Sequence, residues 1–484
     1  MKKLLLFLFC ALSTSIGFAQ TTFTLNIVND NTSISDPWVT FVSSLNVVNT
    51  WETNGYSATT LNGTALSATA GATSLVDGTS YQLSTIGNSI TVGSDWAGNI
   101  FFSDSDISSN LGSSGQSPVQ TVNPAWETDP THNPKFLITA TSQPTLYATN
   151  PGSADATTQR YNYIELGGGS SSTINPDVTY INYASVPLQM ANSTGTRGTP
   201  SSQGSLDTLT TRLAALTGNN PTAVVTSGGQ IVRVIGPDSG STISSLYQSF
   251  GAYITSSVAP GAKTIQLSNA YSGHGSLTGL IANQTYTPRT ATPVTYDGTT
   301  LTIKGTSTEA SVGDFTMTAT ITPAEFSDSI YAAVISYSVT YAQNTGSPIT
   351  IAGNTGDNNV FSAVSRDLLA GYSYGFINST NAGDMTSAEW QTLSNSDAFA
   401  NAQPDNTYYN TWAAEIAGTF GDVYSFPFND FLNDFSPELT TASGDTLTVT
   451  MLGVNPVPEP STIAMLGLTG AACCMFVFRK RKRS

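Results

Sequence analysis

Short runs in which every second side chain is apolar constrain this 484-residue chain more than any other feature. From Thr22 to Val28, Phe23, Leu25 and Ile27 alternate with Thr22, Thr24 and Asn26. Successive side chains of an extended backbone point to opposite faces, so such a run buries one face and wets the other. Further strands are predicted at Trp38–Val42, Gln82–Ile86, Asn99–Ser103, Phe136–Thr141 and Thr145–Thr149, with clusters of Gly, Ser, Asn and Pro between them. The region 22–190 therefore reads as a β-sandwich or barrel.

Beyond about residue 200 the period changes. Leu206, Leu209, Leu213 and Leu216 recur at helical spacing, and Gly218 offers a stop. A strand pair over Ala223–Ile235 turns at Gly228-Gly229, and a helix is expected over Thr242–Ser256 with Ile243, Leu246, Phe250 and Tyr253 on one face. Strands follow at Thr299–Lys304, Phe315–Ile321 and Tyr331–Val339. Helices follow at Asn359–Ala370, ended by Gly371, and at Thr407–Ala417, started by Asp405 and ended by Gly418. Leu447–Met451 predicts a last strand. The expected fold class is mainly β with α/β: a barrel or sandwich domain at 20–195, a mixed α/β domain at 196–440 able to return strands to the barrel, and a last strand and linker at 441–456.

Charge narrows the partners. Seven of the 16 basic residues lie at the two ends, so between Gln20 and Pro458 nine basic residues face 31 acidic ones, a net charge of −22. Polyanions are repelled by such a body, which excludes nucleic acid and suits a neutral polymer. All three cysteines, Cys10, Cys473 and Cys474, also lie at the ends. The body must hold together without disulfides, and zinc-finger, thiol and iron–sulfur chemistry are excluded.

Met1–Ala19 carries two lysines, an apolar run from Leu4 to Leu12 and then small residues, the order of an export signal at 1–19 whose removal leaves Gln20 first. At the other end, 457–484, VPEP (Val457–Pro460) precedes eighteen mainly apolar residues, Ser461–Phe478, and a basic tail. Eighteen helical residues span about 27 Å, enough to cross a bilayer, with the basic tail left cytoplasmic. This order resembles the PEP-CTERM sorting signal of bacteria that process exported proteins with exosortases. The resemblance implies transient anchoring, cleavage near 458–460, and delivery to the cell surface, outer membrane or extracellular matrix. A plain C-terminal anchor is the other reading.

The stretch Tyr161–Met190 (YNYIELGGGSSSTINPDVTYINYASVPLQM) is the best candidate for a site. Alternation places Tyr161, Tyr163 and Glu165 on one face, setting a carboxylate beside two phenols. A second strand is expected over Thr179–Val186, with Tyr180 and Asn182 on the face opposite Ile181 and Tyr183, and a pairing that turns Glu165 and Asn182 to one side.

Together with TTFTLNIVND, WAGNIFFS, GGQIVRVIGPDSG, NNVFSAVSRDLLAGYSYGFINST and YYNTWAAEIAGTFGDVYSFPFNDF, this stretch resembles the laminaripentaose-producing β-1,3-glucanases, glycoside hydrolase family 64, of the thaumatin-like group. The resemblance implies a β-barrel domain and a mixed α/β domain flanking a wide groove for a glucan chain. It also implies an inverting hydrolysis by a glutamate and an aspartate about sixteen residues apart. Glu165 matches the glutamate, while the aspartate's position holds Asn182. An amide orients water but does not take its proton, so Asp177 is a candidate substitute base, or an ordinary turn residue after Pro176. The loop Gly167–Ser172 carries glycines and serines where the family presents threonine, asparagine and tryptophan to the sugar.

Tyr161, Tyr163 and Tyr180 are candidates to stack on glucose rings, and Asp430 to contact sugar; each reads equally as ordinary packing or surface. Trp412, with Tyr408 and Tyr409, reads as core. His132 and His274 are too few and too far apart for a metal set, and Asp104 and Asp106 lack the rest of a calcium loop. No metal or cofactor is predicted. Two functional readings stand: a glucan hydrolase, and a non-catalytic glucan-binding or matrix protein on the same scaffold.

Overall fold

A computed structural model describes residues 22–43, 67–68, 79–93, 98–108, 119–122, 136–139, 159–167, 173–201, 203–257, 286–288, 294–307, 313–341, 347–355, 360–377, 398–399, 408–427, 429 and 437–453. The expected strand at Thr145–Thr149, the two histidines, Asp430, the export signal and the segment Ser461–Phe478 lie outside them.

Two six-stranded sheets form the first half of the fold. One runs in the order Gly195–Arg197, Leu188–Asn192, Thr446–Met451, Thr22–Asn29, Ser89–Gly93, Ser67–Ala68. The other runs Thr441–Ala442, Thr173–Val178, Tyr161–Gly167, Gly98–Ser103, Trp38–Ser43, Ser80–Gln82. Their alternating apolar residues, Phe23, Leu25 and Ile27 from the first and Ile100, Phe102, Ile164 and Leu166 from the second, enter one core. The strand Thr446–Met451 lies parallel to Thr22–Asn29, pairing Leu25 with Leu447 and Ile27 with Val449, and antiparallel to Leu188–Asn192 on its other side.

Between these ends the chain builds a three-stranded sheet, Tyr183–Ala184, Gln230–Ile235 and Val224–Ser227, whose hairpin turns at Gly228 and Gly229 with φ of 58° and 83°. Two consecutive positive φ values are what the tight turn needs and glycine supplies cheaply. A further antiparallel sheet pairs Thr300–Ser307 with Asp314–Thr320, Ser336–Tyr341 and Ile349–Asn354 in succession. Helices Gln203–Leu216 and Thr411–Phe420 are tied together where Arg212 meets Glu415 at 2.8 Å and Thr419 at 2.8 Å. Helix Val360–Tyr374 is buried along much of its length.

Several sequence expectations shift. Gln82–Ile86 is not a strand: a short strand Ser80–Gln82 passes into the helical turn Leu83–Ile86. The single helix expected over Thr242–Ser256 is two short ones, Ser241–Ser244 and Gly251–Ser257. Tyr331 does not open a strand but closes the helix Pro323–Ala332, and the strand begins at Ser336. Gly371 is carried inside its helix, which runs to Tyr374 before Gly375 with φ 79°. One interior glycine costs only about 1 kcal/mol, which packing readily offsets. Helix Thr411–Phe420 is capped by Asn410, whose side chain accepts from the Ala413 N–H, rather than by Asp405, and Gly421 rather than Gly418 ends it. Among the described residues no helix is long and apolar enough to cross a membrane.

Candidate functional site

The site is built on the strand Tyr161–Gly167. Its neighbours in the sheet, Gly98–Ser103 and Thr173–Val178, set Asn99 on one side of Glu165 and Asp177 on the other, each directly opposite it. Asp177 in turn faces Glu438 through an isolated antiparallel bridge. Residues directly opposite in paired strands share a face, so Asn99, Glu165, Asp177 and Glu438 form a polar row across the sheet. Asp177 is buried, while Glu165 and Glu438 are exposed.

Beside that row, on the same face, lies an aromatic cluster. Tyr161 and Tyr163 share the face of Glu165 and pack with Phe101, Ile107 and Tyr183 in a small cluster of their own. Ring centroids are 4.9 Å apart for Tyr161–Tyr183 and 5.2 Å for Phe101–Tyr163. The Arg233 guanidinium stands 4.4 Å over the Tyr161 ring. Both tyrosines are nearly fully buried, at 1% and 4% exposure, so their rings belong to the packed cluster beside Glu165 and present no free stacking face.

Tyr180 belongs to the core. It stacks on Phe420 at 4.8 Å, its hydroxyl accepts the Leu188 N–H at 2.9 Å, and its carbonyl accepts the Trp412 indole N–H at 2.9 Å. The expected strand over Thr179–Val186 shortens to Tyr183–Ala184, in the three-stranded sheet. The regular strand lies earlier, at Thr173–Val178, where Pro176 accepts the Leu439 N–H and Val178 the Tyr424 N–H along its edge.

Asn182 is thereby released from strand geometry into a bend. It is held there by the turn Gly236–Ser239: the Gly236 N–H and the Ser239 hydroxyl both donate to its carbonyl, at 2.6 and 3.0 Å. Gly236 has to be a glycine. A Cβ there would fall 2.4 Å from the Ile181 carbonyl oxygen and 3.1 Å from both the Asn182 oxygen and Trp412. The side-chain amide of Asn182 faces two ways. Tyr163 donates its hydroxyl to Oδ1 at 2.9 Å, and Nδ2 donates to Oδ2 of Asp238 at 3.0 Å. The structure thus links Asn182 to the face of Glu165 through Tyr163.

Two carboxyl groups are shifted upward. Although Glu165 is exposed at the sheet surface, loss of hydration raises its pKa, and repulsion from Glu438 raises it further. Asp238, half-buried, is pushed up to about 7 by desolvation, against the hydrogen bond from Asn182, which lowers it. No motif in the sequence marks Asp238, which lies within GGQIVRVIGPDSG. No spacing rule connects it to Asn182, 56 residues earlier. Among the described residues no cluster of three or more His, Cys, Asp or Glu side chains could hold a metal.

The PEP-CTERM protein-sorting motif is matched at residues 456–482. A crystal structure of a laminaripentaose-producing β-1,3-glucanase in complex with laminaritetraose superimposes with a TM-score of 0.50 and 14% identity, over 90% of this chain and 99% of that one. At that identity the likeness is one of fold. No curated protein matches the chain.

Proposed function

We propose that this protein is an exported β-1,3-glucan hydrolase that acts by inversion, with Glu165 as general acid. The observation that carries the reading is the setting of Glu165: a surface carboxyl beside buried tyrosines on the same strand face, with its pKa raised by lost hydration and by Glu438. A general acid must keep its proton until the glycosidic oxygen takes it, and a raised pKa serves that step. The leaving oxygen takes the Glu165 proton as the bond to the anomeric carbon breaks, and water adds from the opposite side.

The likeness of fold to the glucanase, across nearly the full length of both chains, supports the substrate class. The two sheets sharing one core support a sandwich or barrel at 20–195, with a mixed α/β domain at 196–440 across a wide groove and the segment 441–456 returning to the barrel. Asp430 would then contact the sugar. The sorting motif supports export with an exosortase as processing partner, after an export signal at 1–19 and a transient membrane helix, to a cell-surface, outer-membrane or matrix destination.

A second reading, glucan binding without turnover, is favoured by the amide at Asn182. Incubating the purified protein with laminarin or curdlan, and measuring both new reducing ends and polymer pull-down, separates the two. Hydrolysis is expected, and Glu165→Gln should lower it by roughly 100- to 10,000-fold while leaving pull-down intact. Equal sugar release by Glu165→Gln would sink the proposal; pull-down with no release by either protein would establish the binding reading.

A further inference from the structure

We infer that Asp238 is the catalytic base of this site, doing from the turn Gly236–Ser239 what a carboxylate at position 182 would do. The inference rests on the hydrolase reading above and completes it.

Inversion needs two carboxyl groups about 6.5–9.5 Å apart, so that a water fits between the base and the sugar. Asp177 is a poor fit. It lies directly opposite Glu165 in register, a relationship that holds the two Cβ atoms about 4.5–5.5 Å apart, and it is buried. Glu438 is a strand further on, and its charge already acts on Glu165 to raise the acid's pKa. Asp238 is linked to the Glu165 strand through Tyr163 and Asn182, and it keeps part of its surface in solvent, where water can reach it.

The surroundings of Asp238 look built rather than incidental. Asn182 donates one amide hydrogen to Oδ2, which leaves Oδ1 for a water. Its own Oδ1 is occupied by the Tyr163 hydroxyl, so the amide cannot flip without losing both bonds. The backbone of Asn182 is clamped by Gly236 and Ser239, the residues on either side of the Pro237-Asp238 pair. Tyr163 stands two residues before Glu165 on the same face, so acid and base are positioned through one strand. Burial also raises the basicity of Asp238 to near neutrality, which suits proton removal from water.

In the reaction, the Asp238 carboxylate takes a proton from water as the water oxygen bonds to the anomeric carbon. The bond from that carbon to the leaving oxygen breaks, and Glu165 supplies the proton that oxygen needs. The two carboxyl groups exchange states, and solvent restores them.

The test compares the parent protein with Asp238→Asn, Asp238→Ala, Asp177→Ala and Glu438→Ala on laminarin, with and without azide. Asp238→Asn keeps an acceptor for Asn182 but no basicity, and polymer pull-down reports whether each variant is folded. Expected are a roughly 100- to 10,000-fold loss of turnover in both Asp238 variants with pull-down intact, recovery of Asp238→Ala by azide with formation of the glycosyl azide, and product of inverted anomeric configuration from the parent. An active parent with turnover unchanged in Asp238→Asn overturns this inference and leaves the hydrolase reading standing. So does azide rescue at Asp177 or Glu438 instead, whereas a product of retained configuration overturns this inference together with the inverting course of the proposed hydrolysis. A parent protein that binds but never releases sugar overturns both.

Discussion

Asp238 titrates near 7 in the fold against 3.8 for the free side chain, because burial disfavours its charge by more than the Asn182 amide favours it. A carboxyl raised in this way holds a proton that the unfolded chain has released. Its contribution to stability is therefore present at low pH and is lost as pH climbs from 3.8 to about 7, with no further change above. Asp238→Asn stays neutral throughout and should lack that decline. Thermal unfolding of parent and variant across the same range checks this, and parallel curves would contradict it. At this scale the sequence was partly legible. Alternation alone places Tyr161, Tyr163 and Glu165 on one face, since a strand has a period of two. It is silent on Asn182 and Asp238, whose meeting depends on a bend and on a turn that accepts no Cβ at Gly236.

Among elements, helix Pro323–Ala332 shows how local chemistry can be present and still be overlooked. Thr322 accepts the Glu325 N–H at 3.3 Å while the Glu325 carboxylate accepts the Thr322 N–H at 2.8 Å, and Pro323 fills the first helical position. That reciprocal cap is written as TPAE in the chain, yet the β-like run after Tyr331 hid it. Thr322→Ala should cost about 1 kcal/mol, within roughly 0.5–2, measured by denaturant unfolding; a change near zero would mean that tertiary packing alone holds the helix start. Leucine spacing located the helix Gln203–Leu216 with its stop at Gly218, φ 65°. Asp405 and Asn410 are both acceptable caps for the helix at Thr411, and contact favours Asn410, whose N–H is bound to the Ser373 carbonyl.

For the molecule as a whole, the informative pairing is between its extremes. Thr446–Met451 lies between Thr22–Asn29 and Leu188–Asn192 and buries Leu447, Val449 and Met451 completely. Neither periodicity nor turn chemistry could show that the last strand sits beside the first, since such a contact is specified only by the shared core. A chain ending at Thr440 removes the strand that joins these two neighbours, leaves each with one bare edge and opens that core. It should be unfolded, as read by far-ultraviolet circular dichroism and protease resistance, and a protease-resistant product would contradict the prediction. The same pairing has a mechanical side. The sorting motif begins at residue 456, a few residues after Met451, so a pull from a tethered C-terminus reaches the body through this one strand. Held by ladders along both edges, the strand is loaded in shear, and its hydrogen bonds must give way together rather than unzip in turn.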